Sequence, residues 1–368
     1  MGIKMKILYL SDTDLDGTSG IAQKVLMQSN QWSKQGHNVS LISLESLSLF
    51  SLQGERLTEP KIDIKRRGWK IYVHLLLSTW RLKKILKTVD YDIVYMRYRL
   101  YSPFLKRTLG DHIRIVEINT DDINEYKFSS KLLYLYNKFF RNLFLQPVDG
   151  FVCVSHELQK KFEYLAKPSI VIANGINTDM YAFEPSTGSI RPSLVFIGSP
   201  NQKWHGVDKI IFLAEKLIEF DFHIIGMDGK NRPNLFFHGY LSTDKAKHFV
   251  KDQDIGIGTL SLYENKMTEA SPLKTRQYFA HGLPVIYAYE DTDISEEEPF
   301  VLKLPNTKTN IEEHIREIRH FVLSAHHNSK FRQLARDFAE KTLDVSVKEN
   351  QKIEFFDMIL QSKDKWEV

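Results

Sequence analysis

The sequence predicts a pair of α/β domains, each a doubly wound, largely parallel sheet, and three observations carry that prediction. The chain has 368 residues, more than one hydrophobic core usually supports. Short apolar runs alternate with amphipathic stretches along nearly all of it, the rhythm of βαβ units. Midway, the segment ANGINTDMYAFEPSTGSIRPS at 173–193 breaks that rhythm with Gly, Pro, Asn, Ser and Thr, as an interdomain linker does. The expected units are residues 1–180, residues 181–345, and a C-terminal helix at 346–368 that packs back on the first domain.

In the first half, strands are expected at 6–10, 38–43, 93–97, 113–118, 150–154 and 169–172. Helices lie between them, for example at 21–35 and 156–164. Gly36 sits where the first of these helices should stop. A second series gives strands at 193–197, 222–225, 235–237, 255–258 and 284–287. Its helices are expected near 207–219, 243–251, 272–281 and 311–325. Sheets of this kind bind ligands beyond the carboxyl ends of their strands, so the cleft between the domains is the expected site.

Composition narrows the class. Hydrophobic residues at 42% and charged residues at 26% describe an ordinary globular chain. A lone cysteine, Cys153, permits neither an internal disulfide nor a cysteine metal cluster, and its FVCVS context marks a packing residue of a strand. The N-terminal MGIKMKILYLSD reads as a buried first strand rather than a signal peptide. No run of about 18 apolar residues is present, so a membrane span is not expected and a cytoplasmic location is. Residues 1–185 carry 26 Lys and Arg against 19 Asp and Glu, a balance of +7, and the remainder carries 24 against 27, a balance of −3. That asymmetry directs the first half toward something anionic.

The segment Glu269 to Val285, EASPLKTRQYFAHGLPV, concentrates the chemistry. Ser271 suits an N-cap and Pro272 the first helical position. Gly282 suits the left-handed position that ends a helix, and Pro284 blocks continuation. The first turn of such a helix offers free N–H groups and partial positive charge to a phosphate. Lys274 lies in that turn, where a lysine is unfavourable unless an anion compensates it. Leu273, Tyr278 and Phe279 suit a core-facing side, while Lys274 and Gln277 share another. The alternative is a well-capped helix with a solvated polar side.

This segment resembles the signature of the retaining glycosyltransferases of family 4 (group 1), which have the GT-B fold of two facing Rossmann-like domains. That pattern is a glutamate, seven residues, a second glutamate, then a small residue, Gly-x-Pro-Val; one subgroup reads SPLK, two residues, E-Y. The chain matches SPLK, the tyrosine and AHGLPV, and departs at Gln277, which stands for the second glutamate. The resemblance runs along the whole chain, through KILYLSDTDLDGTSGIAQKV, VYMRYRLYSPF, IVEINTDDINEY, CVSHELQKKF, VIANGINTDMYAF and LVFIGSPNQKWHGVDKII.

The resemblance implies transfer of a hexose, with retention, from a nucleoside-diphosphate sugar to a glycan or lipid-linked glycan acceptor, as in polysaccharide biosynthesis. The donor is expected to be UDP- or GDP-linked. No cofactor or metal is implied, and closure of the domains is expected to expel water. Lys274 would contact the diphosphate and Glu269 the donor sugar's hydroxyls. Gln277 would hold the ribose without charge assistance. Ser271, Pro272 and Leu273 would form the helix entrance. Gly198 would give room for phosphate, and Gly226, Tyr240 and Leu241 would lie near the base. The family's cations after this glycine fall here at Ser199 and His205, which leaves Lys203 as a second candidate. Gly17 and Gly20 would let the first loop approach the phosphates; their spacing is not a dinucleotide fingerprint, which disfavours a dehydrogenase.

In the first domain Asn119 takes the place where many relatives carry a histidine opposite the anomeric carbon. Asn119 and Asp121 are candidate catalytic groups, and Asp122, Arg97 and Arg99 candidate acceptor ligands. The aspartates have the alternative of capping the next helix, and the arginines of pairing with acids. The stretches at 64–87 and 127–145 combine bases with aromatics and suit either interfacial helices on an anionic leaflet at the inner face of the cell membrane or core helices with solvated basic sides. A nucleic-acid partner is not expected. The departures at Gln277, Ser199 and Asn119 raise a second reading, a silent relative that binds a nucleotide or glycan or supports a partner. A third, a sugar-nucleotide epimerase, is disfavoured by SPLK.

Overall fold

The structure is a computed structural model that describes residues 4–16, 19–62, 68–185, 190–294 and 297–364. The chain forms two compact units, one of Met1–Ile172 with Glu349–Val368 and one of Ala173–Lys348. The first boundary thus falls at 172/173 and not at 180/181. The linker belongs to the second unit because its groups are satisfied there: Ile176 N–H donates to the Leu343 carbonyl, and the Asn174 side chain donates to the Ser271 carbonyl at 2.9 Å.

In the first unit, strands β1 (Lys6–Ser11), β2 (Asn38–Ser43), β3 (Ser48–Phe50), β4 (Ile93–Arg97), β5 (Ile113–Ile118), β6 (Gly150–Cys153) and β7 (Ser169–Val171) form one sheet in the order β3-β2-β1-β4-β5-β6-β7. All pairings are parallel except β2 with the short edge strand β3, which the sequence pattern did not reveal. Period-two alternation divides the strands cleanly. Leu8, Leu10, Val94, Met96 and Val116 pack on one face, and Ile7, Tyr9, Ile93, Tyr95 and Ile115 on the other. Helices α1 (Gly20–Lys34), α2 (Lys70–Ile85), α3 (Leu105–Leu109), α4 (Asp122–Ser129), α5 (Lys131–Leu145) and α6 (His156–Lys160) connect the strands. Trp32 of α1 packs with Tyr9, Tyr95 and Phe356, the last from the C-terminal helix.

Glu117 interrupts the apolar run of β5 and is fully buried. Its carboxylate lies 3.0 Å from Lys24 Nζ and 3.6 Å from Lys352 Nζ, and these cations hold it well below the usual carboxylate range despite burial. Glu349 closes the network by accepting from Lys352 at 2.7 Å and from the Trp32 indole at 2.9 Å. A buried charge cluster of this kind is stable only when every member is partnered.

The second unit repeats the architecture. Strands β8 (Ser193–Ile197), β9 (Asp221–Ile225), β10 (Leu235–Phe237), β11 (Ile255–Ile257), β13 (Val285–Tyr287) and β15 (Val301–Lys303) form a parallel sheet in the order β10-β9-β8-β11-β13-β15. The short strands β12 (Glu269–Ala270) and β14 (Glu290–Asp291) pair separately. Helices α7 (Val207–Lys216), α8 (Thr243–Lys251), α9 (Leu273–Ala280), α10 (Asn310–Ala325) and α11 (Ser329–Phe338) cover the sheet, and α12 (Val345–Asp364) follows. In both units the strand order reverses beside the first strand, between β1 and β4 and between β8 and β11. Such a reversal opens a crevice at the carboxyl ends of the strands.

Candidate active site

Helix α9 is the centre of the second unit's site, and its position is set by packing on the sheet. The Ile197 N–H donates to the Tyr278 hydroxyl at 2.8 Å, which ties α9 to the carboxyl end of β8. Gly256 allows the close approach: a Cβ there would stand 2.3 Å from the Tyr278 ring. Arg276, fully buried, pairs with Asp291 and lies 2.9 Å from Asp293. The helix ends at Gly282 (φ +73), with Gly282 N–H donating to Phe279 O and Leu283 N–H to Tyr278 O, both at 2.9 Å, the Schellman pattern.

At its N-terminus the helix starts one residue later than its sequence pattern suggests. Pro272 (φ −67, ψ 137) is the capping residue and no side chain caps the first turn. Ser271 is not the cap; its hydroxyl accepts from Asn174 instead, a partner far away in sequence. Leu273 does not face the core but is 39% exposed, because it opens the first turn ahead of the buried Thr275 and Arg276. Glu269 is buried in β12, immediately before this turn.

Lys274 Nζ is buried with no hydrogen-bond partner. It stands 4.0 Å from the centroid of the Phe196 ring and 5.6 Å from that of Trp204. Burial lowers its pKa well below the ordinary lysine value. His205 lies beside it, its Nδ1 also buried and unpartnered. Burial first, and the Lys274 charge second, push the imidazole down to about 3, against a smaller opposing effect of the Ser199 backbone. Two polar nitrogens without protein partners thus stand next to an uncapped helix N-terminus, an arrangement whose chemistry suits an anion.

The strand ends beside this arrangement are built from glycine. Gly198 would meet both Phe196 and His205 if it carried a Cβ. Gly226 (φ +96) packs against the Gly198 carbonyl, 2.2 Å from where its Cβ would be, and its N–H donates to Gly239 O at 2.7 Å. Only glycine fits this contact and this dihedral together. The result is a cavity of about 370 Å³ whose lining includes Gly198, Gly226, Tyr240, Leu241, Gln277 and His281. Tyr240 is 86% exposed at its rim. Gln277 bonds the Tyr181 hydroxyl, which burial raises to about 12 although that bond lowers it.

Of the residues singled out from sequence, Gly198, Gly226, Tyr240, Leu241 and Gln277 thus share one cavity. Lys203 does not join them. It is exposed and lines a separate recess of about 380 Å³ with Asn201, Val207 and Met227. The chain turns at Lys203–His205 so that His205, and not Lys203, points inward beside Lys274. His281 was not singled out from the sequence, and His205 was noted at a family cation position but passed over in favour of Lys203. The signal for His205 was its place where the resembled family carries a cation; for His281 it was only a single histidine before a glycine.

In the first unit, Asn119 follows β5 with both ends of its amide engaged: Oδ1 accepts from Lys24 Nζ at 2.8 Å, and Nδ2 donates to Glu117 at 3.1 Å. Burial lowers Lys24 to about 8 against the pull of Glu117. Asp121 caps α4, accepting from Ile123 and Asn124 N–H, and pairs with Lys161 at 2.8 Å. Asp122 is buried against Arg141 at 2.8 Å and Asn137 at 2.7 Å. Arg99, also buried, stands 3.3 Å from Asp12, and Arg97 ends β4 half-buried. Gly20 is the first residue of α1, in open space, and Gly17 lies outside the described residues. Cys153 is buried in β6 and its thiol is pushed up to about 12 by burial, as befits a packing residue.

Comparison with known proteins agrees with this architecture. Residues 18–180 match the family described as Glycosyltransferase Family 4. No curated protein matches the chain. Among solved structures, sucrose-phosphate synthase from Thermosynechococcus elongatus has a TM-score of 0.73 at 12% identity, covering 97% of this chain and 100% of its own. Anabaena HepE, solved with UDP-glucose, has a TM-score of 0.63 at 14% identity and covers 96% and 99%. The catalytic domain of starch synthase IV from Arabidopsis thaliana, bound to ADP and acarbose, has a TM-score of 0.66 at 10% identity and covers 98% and 100%. The chain thus has the GT-B fold of these structures throughout, and its residues 18–180 are similar to Glycosyltransferase Family 4.

Proposed function

We propose that the chain transfers a hexose from a nucleoside-diphosphate sugar to a hydroxyl of a glycan acceptor, free or lipid-linked, with retention at the anomeric carbon. The observation that carries this reading is the unpartnered, buried Lys274 amino group at the uncapped start of α9. A diphosphate there gives Lys274 and His205 their missing partner, and the first-turn N–H groups add donors. The adjoining cavity takes the nucleoside, with Gln277 at the ribose and Tyr240 at the base. Glu269 accepts from the hydroxyls of the donor sugar.

In the reaction the bond from the anomeric carbon to the diphosphate oxygen breaks, and the acceptor oxygen bonds to that carbon on the same face. The acceptor proton passes to a departing phosphate oxygen. Lys274 acts where negative charge develops on the leaving group, which is the most effective place for a fixed cation. The acceptor is assigned to the first unit, around Arg97 and the Asn119 amide, which Lys24 and Glu117 hold in one orientation. That HepE binds UDP-glucose and starch synthase IV binds ADP supports a nucleotide ligand on this fold.

Thermal shift with UDP, GDP and ADP tests the reading. At least one should raise Tm by about 5 °C at about a hundredfold excess over its Kd, and Lys274→Ala should abolish the shift with the fold intact. Silence toward all three nucleotides would remove the donor-site assignment. The anomeric configuration of the product, read by NMR, decides retention.

A further inference from the structure

We propose that α2 and α5 together form a docking surface for an anionic lipid bilayer. The proposal stands on the first unit alone and does not depend on the donor-site reading. At the N-cap of α2 Trp69 is 70% exposed, and along the helix Trp80 is 63% exposed, with Leu76 exposed and Val73 half-buried between them. Spacings of three or four residues place these side chains along one side of the helix. On α5, Leu132, Leu135, Phe139 and Leu143 form a second exposed stripe at the same spacing, and Phe139 is 75% exposed. The two helices are neighbours: the Tyr72 and Tyr136 rings stand 5.0 Å apart.

The loop before α3 joins the same surface. Tyr101 stacks on Phe140 of α5 at 5.9 Å, and its hydroxyl neighbour Tyr136 donates to the Tyr101 carbonyl. Three residues on, Phe104 holds φ +67 and is exposed. A bulky residue in the left-handed region is strained, and here the strain presents an aromatic ring to the outside.

Charge selects the occupant. Lys70–Ile85 and Lys131–Leu145 contain no Asp or Glu. Lys83, Lys84 and Lys87 are exposed at one end of the α2 stripe, and Lys84 Nζ lies 5.4 Å from the Trp80 ring. Lys131 and Lys138 flank the α5 stripe. A second copy of the chain would set two basic faces against each other and repel. A nucleic acid would match the lysines but leave Leu76, Leu132, Leu135 and Leu143 without an apolar partner. An anionic leaflet satisfies both, with Trp and Phe at the level of the headgroups and lysines at the phosphates. Among the described residues no helix is long and apolar enough to cross a membrane, so the contact is peripheral.

Cosedimentation of the full chain with sucrose-loaded vesicles tests this. The protein should pellet with phosphatidylcholine mixed with phosphatidylglycerol, not with phosphatidylcholine alone, and less at high salt. Trp80→Ser combined with Phe139→Ser, and separately Lys83→Gln, Lys84→Gln and Lys87→Gln together, should each weaken partition by about tenfold or more. Both should keep the wild-type Tm, because the altered side chains are exposed. Lys274→Ala should bind vesicles as the wild type does. Equal binding to both vesicle types, no binding, or unchanged binding of the variants overturns the proposal. So does a dimer abolished by the Trp80 and Phe139 changes without vesicle binding, or retention of duplex DNA in place of vesicles.

Discussion

Lys274 is kept in a condition that costs the free protein stability: a cation away from water, with aromatic faces beside it and no acceptor. Lys274→Met keeps the volume and removes the charge. We expect it to raise unfolding stability by about 1–3 kcal/mol while eliminating nucleotide-induced stabilisation, a trade measurable by urea denaturation with and without UDP, GDP or ADP. Loss of stability on that substitution would mean that Lys274 is a structural residue. A pH dependence follows from the same burial. The amino group is flanked by Phe196, Trp204 and His205, and none of them carries a negative charge. A bound diphosphate therefore raises the depressed Lys274 pKa, and between the free and bound values the complex holds the extra proton. Affinity should weaken as pH rises through that window. Calorimetry in two buffers of different ionisation enthalpy should show proton uptake on the alkaline limb for the wild type and none for Lys274→Met.

At the scale of elements, α9 illustrates what local sequence encodes. Its extent was legible to within a residue at each end from Pro272, Gly282 and Pro284, because caps and breakers act through neighbouring dihedrals. The role of Ser271 was not, since Asn174 draws its hydroxyl away from the helix. The inward turn of His205 was equally hidden; it depends on packing against Phe196 and Trp204, at centroid distances of 5.3 and 4.2 Å. Gly256 is the element's sensitive point. Gly256→Ala forces the Tyr278 ring from its seat and shifts α9, and should cost about 1–3 kcal/mol. It should also weaken nucleotide binding although it lies outside the cavity, which Tm measurements with and without nucleotide will show; an unchanged nucleotide shift would separate the helix position from the site.

For the whole molecule, the buried His205 and His281 and the half-buried His223 shape the acid limb of stability. Burial lowers His205 to about 3, with the Lys274 charge adding to it, and His223 and His281 to about 4. Unfolding restores each to about 6.5, so below that pH the unfolded chain binds more protons than the folded one. Stability should therefore fall as pH drops from about 6.5 toward 4, by up to about 1.4 kcal/mol per pH unit for each histidine. Asp14, Asp121 and Asp344, held below their ordinary values with hydrogen-bond donors such as Ser43, Lys161 and Ser346 outweighing burial, add their loss only at lower pH. Urea midpoints at pH 7.5, 6 and 5 check this, and His223→Phe should reduce the slope by one proton's worth. A flat profile would exclude these burials.

By itself the sequence determined the two α/β units, most strand positions and the extent of α9, because alternation, helical periodicity and capping act within a few residues. It also marked Gly198, Gly226 and Gln277 for one site through the order of its motifs. Only the tertiary structure decided that His205 and not Lys203 stands beside Lys274, that Asp121 caps and Asp122 is paired away, and that Glu117 joins Lys24 to Lys352. Those outcomes depend on which side chains, distant along the chain, meet where water is excluded, and there an unpartnered charge is too costly to leave to chance.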